Sequence, residues 1–131
     1  MNNIYTKEFI NLAEKIQGEI EPKPGMWCFL KGLEDFGPEM IVDMKGTSID
    51  TRKYVGNYLG SCYRREHYIL LPDLGWLVDR KEFVSLSRQR TDSGGFEYRA
   101  ETRSGGRGKI CFASCPLLAA LKALCKIKGV L

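Results

Sequence analysis

The first 25 residues contain a helical pattern that is followed by a proline-containing break. Apolar side chains recur at every third or fourth position between Tyr5 and Ile20, and Thr6 is available as a helix cap. This spacing predicts an amphipathic helix over roughly residues 6 to 17. Pro22 and Pro24 follow, and because proline lacks a backbone donor and disfavours helix before it, residues 21 to 25 form a predicted connector.

The other end of the chain carries the clearest helical signal. Ser114 or Cys115 can cap a helix, and Pro116 suits its first turn. Leucines then form an apolar stripe as far as Cys125, while lysines occupy the opposite face, and Gly129 provides a stop. These features predict a closing helix that is buried on one side.

Strand-like segments lie between the two helices. They are short, rich in aliphatic or aromatic residues and bounded by turn residues. The candidates are Met26–Leu30, Met40–Met44, His67–Leu71, Glu82–Ser87, Gly95–Glu101 and Lys109–Phe112. Pro72 can open a short helix, and Asp73 would favour its first turn. Residues 45 to 65 show helical spacing at Tyr54, Val55, Tyr58 and Leu59, but three glycines weaken that helix.

These elements predict an α+β fold. With 131 residues, 44% of them hydrophobic and 27% charged, the composition matches one globular domain spanning residues 1–131. Terminal helices and successive strands joined by glycine-bearing loops favour a mainly antiparallel sheet of about four to six strands, packed by the N- and C-terminal helices.

The expected location is the cytoplasm. The first nine residues lack the basic and apolar regions of a secretory signal, and no segment approaches the roughly 18 apolar residues of a membrane span. Five cysteines at irregular spacing indicate reduced thiols, mostly in the core, rather than a disulfide framework.

Charge is divided unevenly along the chain. Residues 1–79 hold nine Lys and Arg against twelve Asp and Glu, whereas residues 80–131 hold eleven against four, so the formal charges are −3 and +7. Such an imbalance predicts a surface that attracts an anionic partner. The candidate binding residues are Arg88, Arg90, Arg99, Arg103, Arg107 and Lys109.

Two features near these arginines suggest ligand chemistry, and each has a plainer interpretation. The glycine-bearing segment from Arg103 to Lys109 can cradle a phosphate or form a solvated hairpin loop. Phe96 and Tyr98 share one face of a predicted strand, where they can stack on bases or pack in the core. Core packing is the favoured interpretation of the two rings.

Catalytic and metal-binding motifs are not recognised in the sequence. His67 lies in an aliphatic segment, which favours a structural or surface role. Cys115 precedes a helix start that can stabilise a thiolate, but no base or oxyanion donor accompanies it in a known motif. Cys111 and Cys115, with Cys28 or Cys62, lack the paired short spacings of zinc sites. We therefore predict no catalytic residue, no metal and no cofactor.

Three segments carry a family resemblance. They are Lys23-Pro24-Gly25-Met26-Trp27-Cys28, the run Tyr68-Ile69-Leu70-Leu71-Pro72-Asp73-Leu74, and the Leu/Ala-rich run from Cys115 to Leu124. Their order resembles small uncharacterised α+β proteins encoded in phages and prophages of Gram-positive bacteria. The resemblance implies a phage context and supplies no site residues.

The expected function is therefore a non-catalytic phage or prophage accessory protein that binds and inhibits a host component. An antiviral-defence protein or its nucleotide signal is the expected target, as for an anti-CRISPR protein. Two alternatives remain open: a nucleic-acid-binding module for phage replication or packaging, and an enzyme with an unrecognised site, using Cys115. The expected partners are a host protein or an anionic nucleotide, with nucleic acid and self-association left open and no membrane contact.

Overall fold

The computed structural model describes residues 5–53 and 60–131, which divide into two compact units. One unit is Ile16–Pro72, and the other joins Met1–Lys15 to Asp73–Leu131. The helices of the described residues are α1 (Lys7–Lys15), α2 (Leu74–Val78) and α3 (Pro116–Ile127). The strands are β1 (Trp27–Leu30), β2 (Glu39–Lys45), β3 (Ser48–Lys53), β4 (Cys62–Arg64), β5 (Tyr68–Leu71), β6 (Phe83–Arg90), β7 (Phe96–Ser104) and β8 (Arg107–Ala113).

The unit Ile16–Pro72 is built on a five-stranded antiparallel sheet in the order β4-β3-β2-β1-β5. Four strands follow one another as a meander, and β5 returns to pair with β1, so that Trp27 lies opposite Leu71. All four residues of β5 are buried, and they join Phe29, Ile41 and Ile49 in the core. Burial of these aliphatic and aromatic side chains is the main stabilising contribution to this unit.

A buried polar network ties the strands of this sheet together. The Glu39 carboxylate accepts hydrogen bonds from Thr51 Oγ1 at 2.5 Å and from Ser61 Oγ at 2.7 Å. Ser61 Oγ lies 2.8 Å from the Tyr68 hydroxyl, which also accepts from the backbone N–H of Tyr63 at 3.2 Å. Because Tyr68 lies on β5 and Tyr63 on β4, the network links the two strands that end the sheet order.

The other unit packs α3 against the three-stranded antiparallel sheet β6-β7-β8. Small side chains bring the helix close to the sheet, with Ala119 and Ala123 of α3 meeting Ala100 and Cys111 in a buried cluster. Thr102 Oγ1 donates to the Ala123 carbonyl oxygen at 2.8 Å, which satisfies this buried hydroxyl. Helices α1 and α2 pack against α3.

Each helix begins as its sequence dictates. Thr6 Oγ1 accepts from the Phe9 N–H at 3.2 Å, and Asp73 Oδ1 accepts from the Trp76 N–H at 2.7 Å, so both side chains satisfy donors that a helix start leaves unpaired. Cys115 is the N-cap of α3, and Pro116 opens the helix, where its missing N–H costs nothing.

The predicted fold class is confirmed, with α+β architecture, antiparallel sheets and helices near both ends. The prediction of one central sheet differs from the structure, in which the strands form two sheets. Strands β3 and β4 were not predicted, and the helical spacing at residues 54–59 lies outside the described residues. Pro72 does not open α2, because Asp73 caps that helix and Leu74 begins it.

Candidate nucleic-acid interface

The six predicted binding residues lie on different parts of the three-stranded sheet. Strand alternation and register place Arg88 and Arg90 of β6 on the face that carries α3, together with Phe96 and Tyr98 of β7. Arg99 and Arg103 point to the opposite face. In β8, Arg107 and Lys109 lie toward the end formed by the turn at residues 105 and 106. The six residues therefore do not form one continuous basic surface.

Arg99 and Arg103 are paired within their own strand. One nitrogen of Arg99 lies 3.5 Å from Glu101 Oε1, and one nitrogen of Arg103 lies 3.1 Å from Glu101 Oε2. The Glu101 side chain is only 18% exposed, so this carboxylate sits between the two guanidinium groups with little solvent around it. The pairing reduces the positive charge that these two arginines offer to a ligand.

Arg88 and Arg90 instead surround an exposed aromatic ring. The guanidinium carbon of Arg88 lies 4.3 Å from the centroid of the Phe96 ring, and that of Arg90 lies 5.7 Å from it. Phe96 is 48% exposed, and both arginines are exposed. We call these three residues the Arg–Phe cluster. A cation over an aromatic face is attracted by the ring quadrupole, which holds the three side chains together at the surface.

The hairpin between β6 and β7 brings the cluster together. Thr91 N–H donates to the Gly95 carbonyl oxygen at 2.9 Å, and Thr91 Oγ1 accepts from the Gly95 N–H at 3.1 Å. Gly94 has a φ of 89°, a backbone conformation that favours glycine. This closed turn sets Arg90 directly opposite Phe96 in the ladder.

The two aromatic residues of β7 have different environments. Tyr98 packs against the buried cluster beneath α3, as the core interpretation predicts. Phe96 lies two residues nearer the hairpin, where the ring is exposed, so the prediction of core packing is wrong for this residue. The sequence signal for the exposure of Phe96 is its place beside a turn, because strand ends next to hairpins extend beyond the packed core.

The glycine-bearing segment is a tight hairpin. Ser104 pairs with Arg107, which leaves only Gly105 and Gly106 in the loop, with φ values of 57° and 82°. Two successive positive φ values are typical of the turn that joins twisted antiparallel strands. The structure therefore agrees with the hairpin interpretation, and Arg103 and Lys109 lie in strands.

The cysteines are all free thiols, and three of them are buried. Burial, with a contribution from the nearby Glu39 charge, raises the pKa of Cys28 to about 12, which keeps this thiol protonated. Cys62 is exposed, and Cys115 is half-buried at the start of α3. Within residues 5–53 and 60–131, no three His, Cys, Asp or Glu side chains come together as a metal site would require.

His67 lies at the surface, in a short 3₁₀ turn that precedes β5. Its ring centroid is 5.7 Å from that of Tyr63, and both residues line a shallow cavity of about 210 Å³ with Leu30 and Lys31. The surface role predicted for His67 agrees with this position. Tyr63 was not among the predicted residues, because strand β4 was not predicted.

No protein-family model, curated protein or solved structure matches the chain. The resemblance to phage and prophage proteins therefore stays a prediction. In the part of the chain that the structure describes, no helix has the length and apolar character needed to cross a membrane.

Proposed function

We propose that this protein is a binding protein whose Arg–Phe cluster holds a ligand that combines phosphate groups with planar bases, as in a single-stranded nucleic acid. The observation that supports this proposal is the exposed Phe96 ring flanked by two exposed guanidinium groups. Buried aromatic residues stabilise a core, but an exposed ring with two cations beside it offers both contacts that such a ligand needs.

The chemistry of the cluster suits each part of that ligand. Arginine pairs with phosphate through two parallel N–H donors, and its planar group stacks on bases. An aromatic ring stacks on any base, because every base has a π-face, so the recognition is tolerant of sequence. The cluster can therefore contact a base and an adjacent phosphate from neighbouring residues of one hairpin.

The charge of the surrounding unit supports an anionic ligand. The unit formed by Met1–Lys15 and Asp73–Leu131 has 13 Lys and Arg against 8 Asp and Glu, a formal charge of +5. The unit Ile16–Pro72 has 7 against 8, a formal charge of −1. Long-range attraction would therefore favour approach of an anion to the unit that carries the cluster.

Under this proposal, the expected inhibitory role would act through contacts of the Arg–Phe cluster with bases and phosphates. A phage or prophage protein that inhibits a host component can do so by occupying a nucleic acid or a nucleotide signal that the host protein needs. The phage context and the host target remain predictions from the sequence.

The test is binding of fluorescently labelled single-stranded DNA and RNA, measured by anisotropy at two salt concentrations. Phe96→Ala should weaken binding about 5- to 150-fold, because stacking on one base contributes roughly 1–3 kcal/mol. The double variant R88Q/R90Q should weaken binding and reduce the magnitude of the logarithmic salt slope by about 1.4, since each phosphate contact on a single strand contributes roughly 0.7.

A matched control separates the cluster from net charge. R107Q/K126Q removes the same two charges from exposed positions outside the cluster, and we expect binding within about threefold of the wild type, because distant exposed charges are largely screened. Equal losses in the two double variants would contradict a specific cluster. Failure to bind either nucleic acid at low salt would reject the proposal, and affinity capture of host proteins with wild type and R88Q/R90Q would then test the inhibitor prediction.

A further inference from the structure

The face of the three-stranded sheet opposite α3 has an alternating charge pattern. Along β7 the side chains on this face are Glu97, Arg99, Glu101 and Arg103, which read negative, positive, negative, positive. Successive members lie roughly 7 Å apart, since each strand residue advances about 3.3 Å. We call this side of the β6-β7-β8 sheet the outer face.

The strands flanking β7 differ from each other on the outer face. The register places Phe112 of β8 beside Arg99 and Ile110 beside Glu101. Ile110 and Phe112 are 42% and 43% exposed, so two large apolar side chains face solvent on the same strand. On the other side, β6 presents Ser85 and Ser87, which are small and polar. The outer face therefore has an apolar strip, a charged strip and a polar strip.

The charged strips of two copies are complementary when the two β7 strands run antiparallel. If two copies meet face to face with β7 antiparallel to its counterpart and a two-fold axis at Ala100, Glu97 lies opposite Arg103 of the second copy. Arg99 then lies opposite Glu101 of the second copy, and the same two pairs recur across the axis. Four opposite-charge pairs form, and no like charges meet.

The flanking strips match in the same arrangement. Ala100 pairs with Cys111 in the ladder, so a two-fold axis that crosses β7 at Ala100 crosses β8 at Cys111. Ile110 of one copy therefore meets Phe112 of the other, and both apolar pairs leave solvent together. On β6, Leu86 pairs with Ala100, so Ser85 meets Ser87 across the axis.

The alternative two-fold arrangement does not match. With the two β7 strands parallel, each charge would lie opposite its own equivalent, Glu97 on Glu97 and Arg99 on Arg99. The apolar strip of β8 would also cover the polar strip of β6. Like charges placed opposite each other cost several kcal/mol, so only the antiparallel arrangement satisfies all three strips.

We infer that the outer face is a docking surface for a second copy of this chain, in the antiparallel two-fold arrangement. Two sheets pack face to face with strands nearly aligned, and a two-fold interface is the commonest in homo-oligomers. Three strands of seven residues have a footprint on the order of 300 Å². This area is smaller than the roughly 800 Å² per partner of a stable complex, so the dimer is weak and concentration-dependent.

The test is sedimentation equilibrium of the full chain at concentrations up to about 1 mM, the range in which weak complexes form. Wild type should show a concentration-dependent dimer. R99E places glutamate opposite Glu101 of the second copy, and E101R places arginine opposite Arg99, so each variant alone should be monomeric. An equimolar mixture of R99E and E101R should dimerise again, because every pair in the mixed dimer is of opposite sign.

Recovery on mixing distinguishes a lost contact from a damaged fold, because two misfolded variants would not restore the dimer. R88E makes the same charge change on the opposite face of the sheet and should dimerise like wild type. Ile110→Asp should abolish the dimer by charging the apolar strip. A wild type that remains monomeric at about 1 mM, or a mixture that remains monomeric, would overturn the inference.

Discussion

Glu82 and Lys128 form the most enclosed ion pair among the described residues. Lys128 Nζ lies 2.8 Å from Glu82 Oε2, and the two side chains are 10% exposed for Glu82 and 19% for Lys128. The hydrogen bond from Lys128 lowers the pKa of Glu82 against the opposing effect of burial. The pair joins the end of α3 to the residue before β6, so it fixes the helix terminus to the sheet.

This pair predicts a pH-dependent contribution to stability. Because the folded pKa of Glu82 is below the ordinary glutamate value of 4.5, the contribution is fully present above pH 4.5 and is lost as pH falls through the folded pKa. Glu82→Gln should lower the free energy of unfolding by about 1.5–3 kcal/mol at pH 7, the range for hydrogen bonds to charged groups. Urea denaturation between pH 3 and pH 7 measures the difference, which should narrow below pH 4.5.

The surface pair between Arg64 and Glu66 provides the control. Its atoms are 3.7 Å apart, and both side chains are about two-thirds exposed, so solvent screens the charges. Glu66→Gln should change stability by less than about 0.5 kcal/mol at every pH. A Glu82→Gln effect that is the same at pH 3 and pH 7 would show that the carboxylate charge is not responsible.

At the scale of elements, α3 depends on small residues where it meets the sheet. Ala119 and Ala123 are fully buried in one cluster with Ala100 of β7. The Thr102 hydrogen bond to Ala123 requires the same close approach. Interiors are close-packed, so the spacing of these layers is set by the alanines.

Ala123→Leu should therefore destabilise the protein by about 1–3 kcal/mol, because added methylene groups in a packed interior force side chains and backbone apart. Denaturant unfolding measures the change. Lys126→Leu places the same side chain at an exposed position of the same helix, and its effect should be within about 0.5 kcal/mol. An Ala123→Leu variant as stable as wild type would show that the contact has unfilled space.

Sequence patterns predicted elements whose signals are local. The cap at Cys115 and Pro116 gave the start of α3, and Thr6 gave the start of α1. Strand β3 was missed because its two buried residues are Ile49 and Thr51, and Thr51 is buried by hydrogen bonds to the Glu39 carboxylate rather than by hydrophobicity. That partner is distant in the sequence, so no periodicity reveals it.

At the scale of the whole molecule, the charge imbalance is smaller between the compact units, with formal charges of −1 and +5, than between the two parts of the sequence, with −3 and +7. The sequence predicted a basic second half, and the structure adds α1 to the unit that holds it. Strand alternation along β7 separates Arg99 from Phe96, yet alternation alone does not show that Glu101 pairs with two arginines. The exposed Arg–Phe cluster depends on where the core ends, which only the packed structure defines.

The two proposed surfaces lie on opposite faces of one sheet, and this arrangement predicts bivalent binding. A dimer formed through the outer face leaves both Arg–Phe clusters exposed, so one long strand can engage both. Linked sites bind more tightly than separate ones when the ligand can span them. A 40-nucleotide strand should therefore bind at least about tenfold more tightly than a 10-nucleotide strand at protein concentrations that support the dimer.

The variant Ile110→Asp tests this coupling, because it removes the dimer and leaves the cluster intact. Its affinity for the 10-nucleotide strand should match that of wild type, whereas its advantage with the 40-nucleotide strand should fall to the factor expected from the larger number of overlapping sites. Anisotropy titrations of both proteins with both strands provide the four affinities. An unchanged length advantage in Ile110→Asp would show that the clusters act singly, since the gain would then arise without a second copy of the chain.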